Sequence, residues 1–223
     1  TRLGYTYDWG NPNTFVGLSE FVIRNGATVE VESSSAPADY CVPMATMAPG
    51  FTSQDVVSLA NGLGGAVAPS EHISITGARL GGSGTTKVYF DGEQARVTMA
   101  GATEVHAMVP ETVGNRRTTA LVVEHRGLKS AAVTLPVVES RPALFSSGVI
   151  GKSAIWALNQ DGTRNSEQHP APRGSLISLL ATGLGSSEAR HILGFPVPDR
   201  PVQVRFEGAP NPAQVLFAGT VYP

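Results

Sequence analysis

Residues 73–81 read Ile73-Ser74-Ile75-Thr76-Gly77-Ala78-Arg79-Leu80-Gly81, an apolar–polar alternation that ends among glycines. Residues 177–185 repeat this pattern as Ile177-Ser178-Leu179-Leu180-Ala181-Thr182-Gly183-Leu184-Gly185. An Ala-Pro pair precedes each stretch. Two further blocks recur downstream in the same order: Val88-Tyr89-Phe90-Asp91-Gly92 matches Val204-Arg205-Phe206-Glu207-Gly208, and Met99-Ala100-Gly101 matches Phe217-Ala218-Gly219. Three matched blocks in one order predict two copies of one fold.

The alternation has a period of two residues, which is typical of half-buried β-strands. The chain has 25 Gly and 16 Pro, which divide it into short segments and leave little room for long helices. A hairpin is predicted over Phe21–Val31, with Asn25-Gly26 at its turn. Helical periodicity is limited to Gln54–Leu59. Further strands are predicted at His72–Thr76, Lys87–Phe90, Ala95–Met99, Glu104–Val109, Thr119–Glu124 and Ala131–Val138.

These features predict an all-β chain of tandem immunoglobulin-like β-sandwiches. Three regions are expected: a short β-rich N-terminal segment (residues 1–54), a first sandwich (55–140) and a second sandwich (141–223). The boundary is placed near Arg141-Pro142, where a Pro-containing linker follows the last strand of the first copy. The second copy has a longer, Pro-rich insertion at about residues 190–200.

Composition excludes several classes of function. The formal net charge is -2, which gives no electrostatic reason to expect nucleic acid or an anionic membrane as a partner. No apolar run reaches the roughly 18 residues needed to cross a bilayer, so membrane insertion is not expected. A single cysteine, Cys41, rules out a disulfide within the chain. It is interpreted as a buried thiol or, in an oxidising compartment, as one half of an intermolecular disulfide.

No motif predicts catalysis, a cofactor or a metal. Residues 159–165 carry oxygen-bearing side chains but lack the terminal Glu of a calcium loop, so a tight Asp161-Gly162 turn is the simpler interpretation. Glu104 and His106 share one strand face, which is expected to be solvated because Val105, Ala107 and Val109 face the core. The glycine clusters at 62–65 and 183–185 are predicted to be strand-end turns rather than phosphate-binding loops.

Parts of the sequence resemble a known family. The segments concerned are Val56–Gly82, Val105–Pro110, Pro142–Phe145, Ala157–Ser166 and Pro170–Ser175. They are similar to the uncharacterised C-terminal domain of Solibacter-type secreted proteins of acidobacteria. The resemblance spans about residues 55–223. It implies IPT/TIG-like immunoglobulin sandwiches on extracellular, multidomain proteins, and it carries no catalytic residue. Family members continue past the block at Phe217-Ala218-Gly219 with a closing strand. Either the sequence is clipped there, or the second sandwich lacks its last strand and must borrow one.

The leading hypothesis is a non-enzymatic structural or adhesive protein, secreted or on the cell surface. In its sharper form the chain is a filament subunit that assembles with other copies of itself by β-strand exchange. A sandwich without its last strand leaves backbone N–H and C=O groups unpaired, and a strand from a neighbour could pair with them. The candidate donor residues are Phe21, Ile23, Val29 and Val31, and the candidate acceptor edge contains Val215 and Phe217.

An alternative hypothesis concerns the aromatic residues near the N-terminus. Tyr5, Tyr7 and Trp9 would form an exposed patch that binds glycans if the chain is a carbohydrate-binding accessory module of a larger secreted protein. The same residues could instead form a small core for the N-terminal segment.

Overall fold

The computed structural model describes residues 48–146, 154–187 and 190–219 in full, together with the backbone of four short strands that precede them. Residues 1–47 and 48–223 form separate compact units. In the first unit, β1 (Thr6–Tyr7) pairs with β2 (Phe15–Gly17), and β3 (Phe21–Ile23) pairs with β4 (Ala27–Val29). The predicted hairpin is therefore confirmed. Ile23 pairs with Ala27, so three residues separate the strand ends and not the expected two.

The first half of the second unit, residues 48–140, contains one antiparallel sheet. Its strand order is β5-β6-β9-β8-β7-β10-β11, and β12 also pairs with β10. The predicted strands are all present, with ends that differ by a few residues. The expected helical turn at 54–59 is wrong, because a single 3-10 turn at Ser53–Asp55 leads directly into β5. The bounds are β5 (Val56–Ser58), β6 (His72–Thr76), β7 (Thr86–Phe90), β8 (Glu93–Ala100), β9 (Glu104–Met108), β10 (Thr118–His125), β11 (Leu128–Lys129) and β12 (Val133–Pro136).

This sheet curls because β8 is shared between its two parts. The first residues of β8 pair with β7, and residues from Arg96 onward pair with β9. The register shifts between Val97 and Met99, and a bulge of this kind bends a strand and increases its twist. A parallel bridge between Val67 and Val137 then joins the segment before β6 to the end of β12.

The core of the first half draws side chains from both parts of the curled sheet. Alternate residues of β6 and β9 point inward, as period two requires, and meet those of β7, β10 and β12. Each core residue is almost completely shielded from solvent. The cluster consists of Val56, Val67, Ile73, Ile75, Leu80, Val88, Phe90, Ala95, Val105, Ala107, Val109, Val113, Leu121, Val123 and Leu135.

The second half, residues 141–219, contains three two-stranded sheets in its described parts. They are the pairs β13–β16, β14–β15 and β17–β18, supplemented by an isolated bridge between Val204 and Ala213. The strands are β13 (Ala143–Leu144), β14 (Ala157–Asn159), β15 (Ile177–Leu179), β16 (Ala181–Thr182), β17 (His191–Ile192) and β18 (Phe195–Pro196). The chain is thus nearly all β, as predicted. No described residue belongs to an α-helix, and none lies in a helix long and apolar enough to span a membrane.

The two stretches quoted at the outset have equivalent pairing partners. Ile73 lies opposite Ser58 and Ile75 opposite Val56, where β6 pairs with β5. In the same register, Ile177 lies opposite Asn159 and Leu179 opposite Ala157, where β15 pairs with β14.

The equivalence extends beyond these strands. The bridge between Gly50 and Ala78 in the first half corresponds to the pairing of Ala143 with Thr182 in the second. The first of the three repeated blocks therefore has the same backbone pairing in both halves. The second block does not, because Val88 pairs with Ala95 between two strands whereas Val204 forms only an isolated bridge with Ala213.

Candidate interaction surface

Arg141 connects the two halves of the second unit. Its Nη1 donates a hydrogen bond to the carbonyl oxygen of Ala66 at 2.7 Å, and its Nη2 donates to those of Leu63 and Gly64 at 2.8 Å each. Its backbone N–H donates to the carbonyl oxygen of Gly183 at 2.7 Å. The side chain therefore binds a loop of the first half, while the backbone binds the second half.

Glu71 is the buried partner of Arg141. Its carboxyl group is completely shielded from solvent, and Oε1 lies 3.4 Å from Nη1 of Arg141. Oε2 accepts a hydrogen bond from the Ala68 N–H at 2.9 Å. Burial raises the pKa of Glu71, and the opposing effects of the Ala68 N–H, the Arg141 charge and the nearby Ser58 hydroxyl do not outweigh it. The Ser58 hydroxyl itself makes no hydrogen bond of good geometry to a described residue.

Two further polar contacts fasten the second half to the first. The Thr182 hydroxyl accepts a hydrogen bond from the His72 N–H at 2.7 Å and donates one to the carbonyl oxygen of Ser70 at 3.3 Å. The Glu111 carboxylate accepts hydrogen bonds from the N–H and the hydroxyl of Ser187, at 3.2 and 2.9 Å, and from the Ser70 hydroxyl. Together with Arg141, these contacts fix β16 and the segment after it against the first half.

The glycines at 183 and 185 permit this close approach. Both have positive φ angles, +71° and +91°, which confirms the turn predicted for residues 183–185. A Cβ atom at Gly183 would lie 2.3 Å from the carbonyl oxygen of Arg141, and one at Gly185 would lie 2.6 Å from that of Glu139. A larger residue at either position would push the two segments apart.

The β15 edge, meaning the side of β15 that faces away from β14, differs from the equivalent side of β6 in the first half. In the first half β6 lies between β5 and β9, and its Ile73 and Ile75 pair with Ala107 and Val105 of β9. Within the described residues β15 pairs with β14 alone. No described residue therefore takes, beside β15, the place that β9 takes beside β6.

The backbone groups of β15 that have no partner among the described residues can be assigned from the chain direction. The N–H of Leu180 donates to the carbonyl oxygen of Trp156 at 3.2 Å, so it faces the β14 side. Backbone groups alternate along a strand, so the N–H groups of Ile177 and Leu179 point away from β14. Such unpaired N–H and C=O groups are a template for an additional strand.

The second half also exposes many apolar side chains. Its buried apolar residues are Ala143, Ala157 and Val197 among those described. At roughly half exposure each, the large apolar side chains of this half present on the order of 1,000 Å² to solvent. They are Leu144, Ile155, Trp156, Leu158, Leu176, Leu180, Ile192, Leu193, Phe195, Phe206, Val215, Leu216 and Phe217.

The residues proposed for strand exchange lie in different settings. Phe21 and Ile23 belong to β3 and Val29 to β4, so these strands pair with each other; Val31 lies outside the described residues.

On the acceptor side, Val215 and Phe217 are partly exposed, but neither belongs to a strand; Phe217 packs edge-on against Phe195 at 6.3 Å between ring centres. The open edge lies at β15, where sequence analysis did not place it.

The aromatic patch falls largely outside the described structure. Tyr7 ends β1, but its side chain is not described, and Tyr5 and Trp9 lie outside the described residues. The exposed Trp156 of the second half is stacked against the Arg164 guanidinium, 4.5 Å from the ring centre.

The loop after β14 forms the predicted turn. Gly162 has a φ of +81°, and Asn159 accepts a hydrogen bond from its N–H at 2.9 Å. The Asp161 carboxylate accepts bonds from the N–H and hydroxyl of Thr163, and these bonds lower the pKa of Asp161. The Asn165 amide donates to Oδ1 of Asn159 at 2.8 Å, and Oε1 of Gln160 accepts a hydrogen bond from the Leu176 N–H at 3.2 Å. No group of metal-ligating side chains occurs among the described residues.

A serine, a glutamate and a histidine meet on the outer face of the first sheet. Ser74 donates to Oε1 of Glu104 at 2.8 Å, and Nε2 of His106 lies 2.9 Å from the same oxygen. The His106 and Ser74 hydrogen bonds lower the pKa of Glu104. Because the serine hydroxyl is bonded to the carboxylate and not to the imidazole, this arrangement lacks the serine–base contact of a catalytic triad.

We call the residues that join the two halves of the second unit the junction: Glu71, Glu111, Arg141, Thr182 and Ser187. Sequence analysis missed them. Arg141 appears there only as a boundary position, and neither Glu71 nor Thr182 is singled out. The available signal was a lone acidic residue, Glu71, next to the apolar run before β6.

Comparison with known proteins adds little. No protein-family model matches the chain, and no curated protein matches it. Among solved structures, it is similar to an auxiliary nutrient binding protein from Bacteroides ovatus, with 12% sequence identity and a TM-score of 0.28. The alignment covers 49% of this chain and 28% of that protein.

Proposed function

We propose that this chain is a structural or adhesive protein of the cell exterior that assembles with other protein chains by strand addition at the β15 edge. On this view both halves of the second unit are copies of one IPT/TIG-like immunoglobulin sandwich. All strands of the first copy come from the chain itself, and at least one strand of the second copy comes from a partner.

The observation that carries this proposal is the conserved register of the two copies. β15 holds the same position relative to β14 as β6 holds relative to β5, yet the neighbour that covers β6 has no described counterpart at β15. In the first copy, β9 contributes Val105 and Ala107 to the core, and the residue after it contributes Val109.

The chemistry of the incoming strand follows from β9. It needs an extended backbone to bond with Ile177 and Leu179, and small apolar side chains at alternate positions to cover theirs. Burial of one valine-sized side chain stabilises by roughly 1.5–3 kcal/mol, so two or three of them add up to several kcal/mol. Ala27, Val29 and Val31 show the same spacing of small apolar residues in the sequence, which keeps them candidate donors.

A donor in another copy would join subunits head to tail. Such a contact uses different surfaces on the two partners, and it produces a filament when the rotation between subunits does not close a ring. This role needs no catalytic group, cofactor or glycan.

The test compares two adjacent substitutions on opposite faces of β15. Ile177→Lys places a charge on the partly buried face that an added strand must cover, whereas Ser178→Lys places it on the exposed face. Sedimentation velocity over a range of concentrations should show that the wild type and S178K form growing assemblies and that I177K loses this growth. Equal behaviour of I177K and S178K, or absence of growth in the wild type, would refute strand addition.

A further inference from the structure

The hairpin β17–β18 has an unusual residue at its turn. Ile192 pairs with Phe195, so Leu193 and Gly194 form a two-residue turn, with φ angles of +53° and +84°. Positive φ at both positions defines a type I′ turn, for which Asn-Gly and Asp-Gly are preferred. Leucine is disfavoured in this conformation, by roughly 1 kcal/mol or more.

Two other type I′ turns of the described chain allow a comparison with Leu193-Gly194. Asp91-Gly92 joins β7 to β8, and Arg126-Gly127 joins β10 to β11, with positive φ at all four residues. Both begin with a polar residue. Asp91 also uses its carboxylate, which accepts hydrogen bonds from the Thr119 hydroxyl at 2.7 Å and the Ala120 N–H at 3.0 Å.

Leu193 contributes nothing comparable to the fold. Its side chain is 93% exposed, the largest value among the exposed apolar residues of the described chain. An apolar side chain that is strained at its backbone and surrounded by water does not stabilise its own hairpin.

The base of the hairpin is held firmly. Val197, just after β18, is buried, and its N–H donates to the carbonyl oxygen of Arg190 at 3.0 Å. The Asp199 N–H donates to Ser186 at 2.8 Å, and the adjacent Ser187 binds Glu111 of the first half. The turn is thus presented from a fixed base, which lowers the entropy lost when a partner binds.

Other apolar side chains are exposed on this hairpin and on the segment at 215–217 that contacts it. Ile192, Phe195 and Phe217 are each a little less than half exposed, and Leu216 is more than half exposed. The contact between the Phe195 and Phe217 rings joins the hairpin to the segment at 215–217. We call these residues the apolar tip: Ile192, Leu193, Phe195, Leu216 and Phe217.

We propose that the apolar tip is a twofold contact between two copies of this chain, in which Leu193 of each copy packs against the Phe195–Phe217 pair of the other. The same patch carries both the protruding side chain and the flatter surface that receives it, as an isologous interface requires. The five side chains of the tip are 43% to 93% exposed and present on the order of 500 Å² to solvent. Two copies would therefore bury about 1,000 Å² in total, the lower end of the range for a specific interface.

This contact is independent of strand addition and has a different stoichiometry. An isologous contact closes at two copies, whereas strand addition at the β15 edge is open-ended. The I177K variant therefore isolates the tip contact, because it removes growth and should leave dimers.

The experiment adds Leu193→Asn to the I177K chain and measures dimerisation by sedimentation equilibrium. Asparagine suits a type I′ turn, so the urea midpoint should stay the same or rise. The dimer dissociation constant should rise by about tenfold or more, because each dimer loses two buried leucines. The matched control is Leu63→Asn, which changes a leucine that is 60% exposed in the first half.

Two results would overturn the tip contact: dimerisation of the L193N chain as tight as that of the L63N control, or an I177K chain that is monomeric at all concentrations. Strand addition is judged separately, by whether I177K loses the growth that S178K retains. The two proposals can therefore fail independently.

Discussion

Replacing Arg141 with alanine should lower the free energy of unfolding of the second unit by about 3–4 kcal/mol. The substitution removes a guanidinium that is bonded to three backbone carbonyl oxygens and lies beside a buried carboxyl group. It leaves the core of the first half and the strands of the second unchanged. The junction between the two halves is the part that it weakens.

The magnitude follows from the separate contacts. The carbonyl oxygens of Leu63 and Gly64 lie in an exposed loop, so water can replace the arginine there at little cost. The oxygen of Ala66 is partly buried, and loss of its donor costs about 1 kcal/mol. Glu71 is fully buried, and loss of the cation beside it adds about 2–3 kcal/mol.

Glu71→Gln provides the matched comparison. Burial raises the pKa of Glu71, which means that the folded chain favours the uncharged carboxyl relative to water. Glutamine keeps the acceptor for the Ala68 N–H without the charge, so E71Q should change stability by less than about 1 kcal/mol. R141A should lower the free energy of unfolding, and in the R141A/E71Q double variant this loss should be roughly halved. The reason is that the double variant leaves no buried charge uncompensated.

The sign of the pH dependence gives a second readout. A carboxyl whose pKa is raised in the folded state destabilises the fold when it is ionised. It becomes less destabilising as the pH falls through the pKa of the folded state toward the lower pKa of the unfolded state. The R141A deficit should therefore be smaller at about pH 5 than at about pH 8. The assay is urea unfolding followed by circular dichroism at both pH values, with hydrogen exchange at residues 62–72 to locate the loss. A deficit below about 1 kcal/mol, or one that grows on acidification, would refute this account of the junction.

Two further predictions concern the first half. Leu121→Ala, at a fully buried core position, should lower the free energy of unfolding in urea by about 2–5 kcal/mol, against less than about 0.5 kcal/mol for Leu63→Ala at an exposed one. Similar losses would mean that the core has been assigned wrongly. Partial burial opposes ionisation of Asp91, but hydrogen bonds from Thr119 and Ala120 and the Arg116 charge outweigh it and lower its pKa. Asp91→Asn keeps the turn and should lower the free energy of unfolding by up to about 1 kcal/mol at neutral pH. This difference from the wild type should disappear as acid protonates Asp91. A difference that stays constant down to about pH 3 would contradict the prediction.

The strands of the first half could be predicted because their signal is local. Alternation of apolar and polar residues along His72–Thr76 or Glu104–Met108 depends only on which face is buried, and it is visible in the sequence itself. The segment at Gln54–Leu59 was misread, because a strand as short as Val56–Ser58 gives too few residues to separate its period from that of a helical turn.

The junction could not be predicted for a different reason. Three acceptors of Arg141 are backbone carbonyl oxygens, which every residue type provides, so no side-chain pattern marks them. The acceptor edge was placed at Val215 and Phe217 on the expectation of a strand there. The open edge at β15 became apparent only when its pairing register was compared with that of β6.

The junction and the β15 edge belong to one physical arrangement. β16 is fixed to the first half by Thr182 and by the backbone bond between Arg141 and Gly183. Only Leu180 separates β16 from β15, so the contacts that hold β16 also limit the motion of the open edge. A strand acceptor that is already ordered loses less conformational entropy when its partner arrives. Loss of Arg141 should therefore weaken assembly as well as folding, although the residue lies outside the β15 edge.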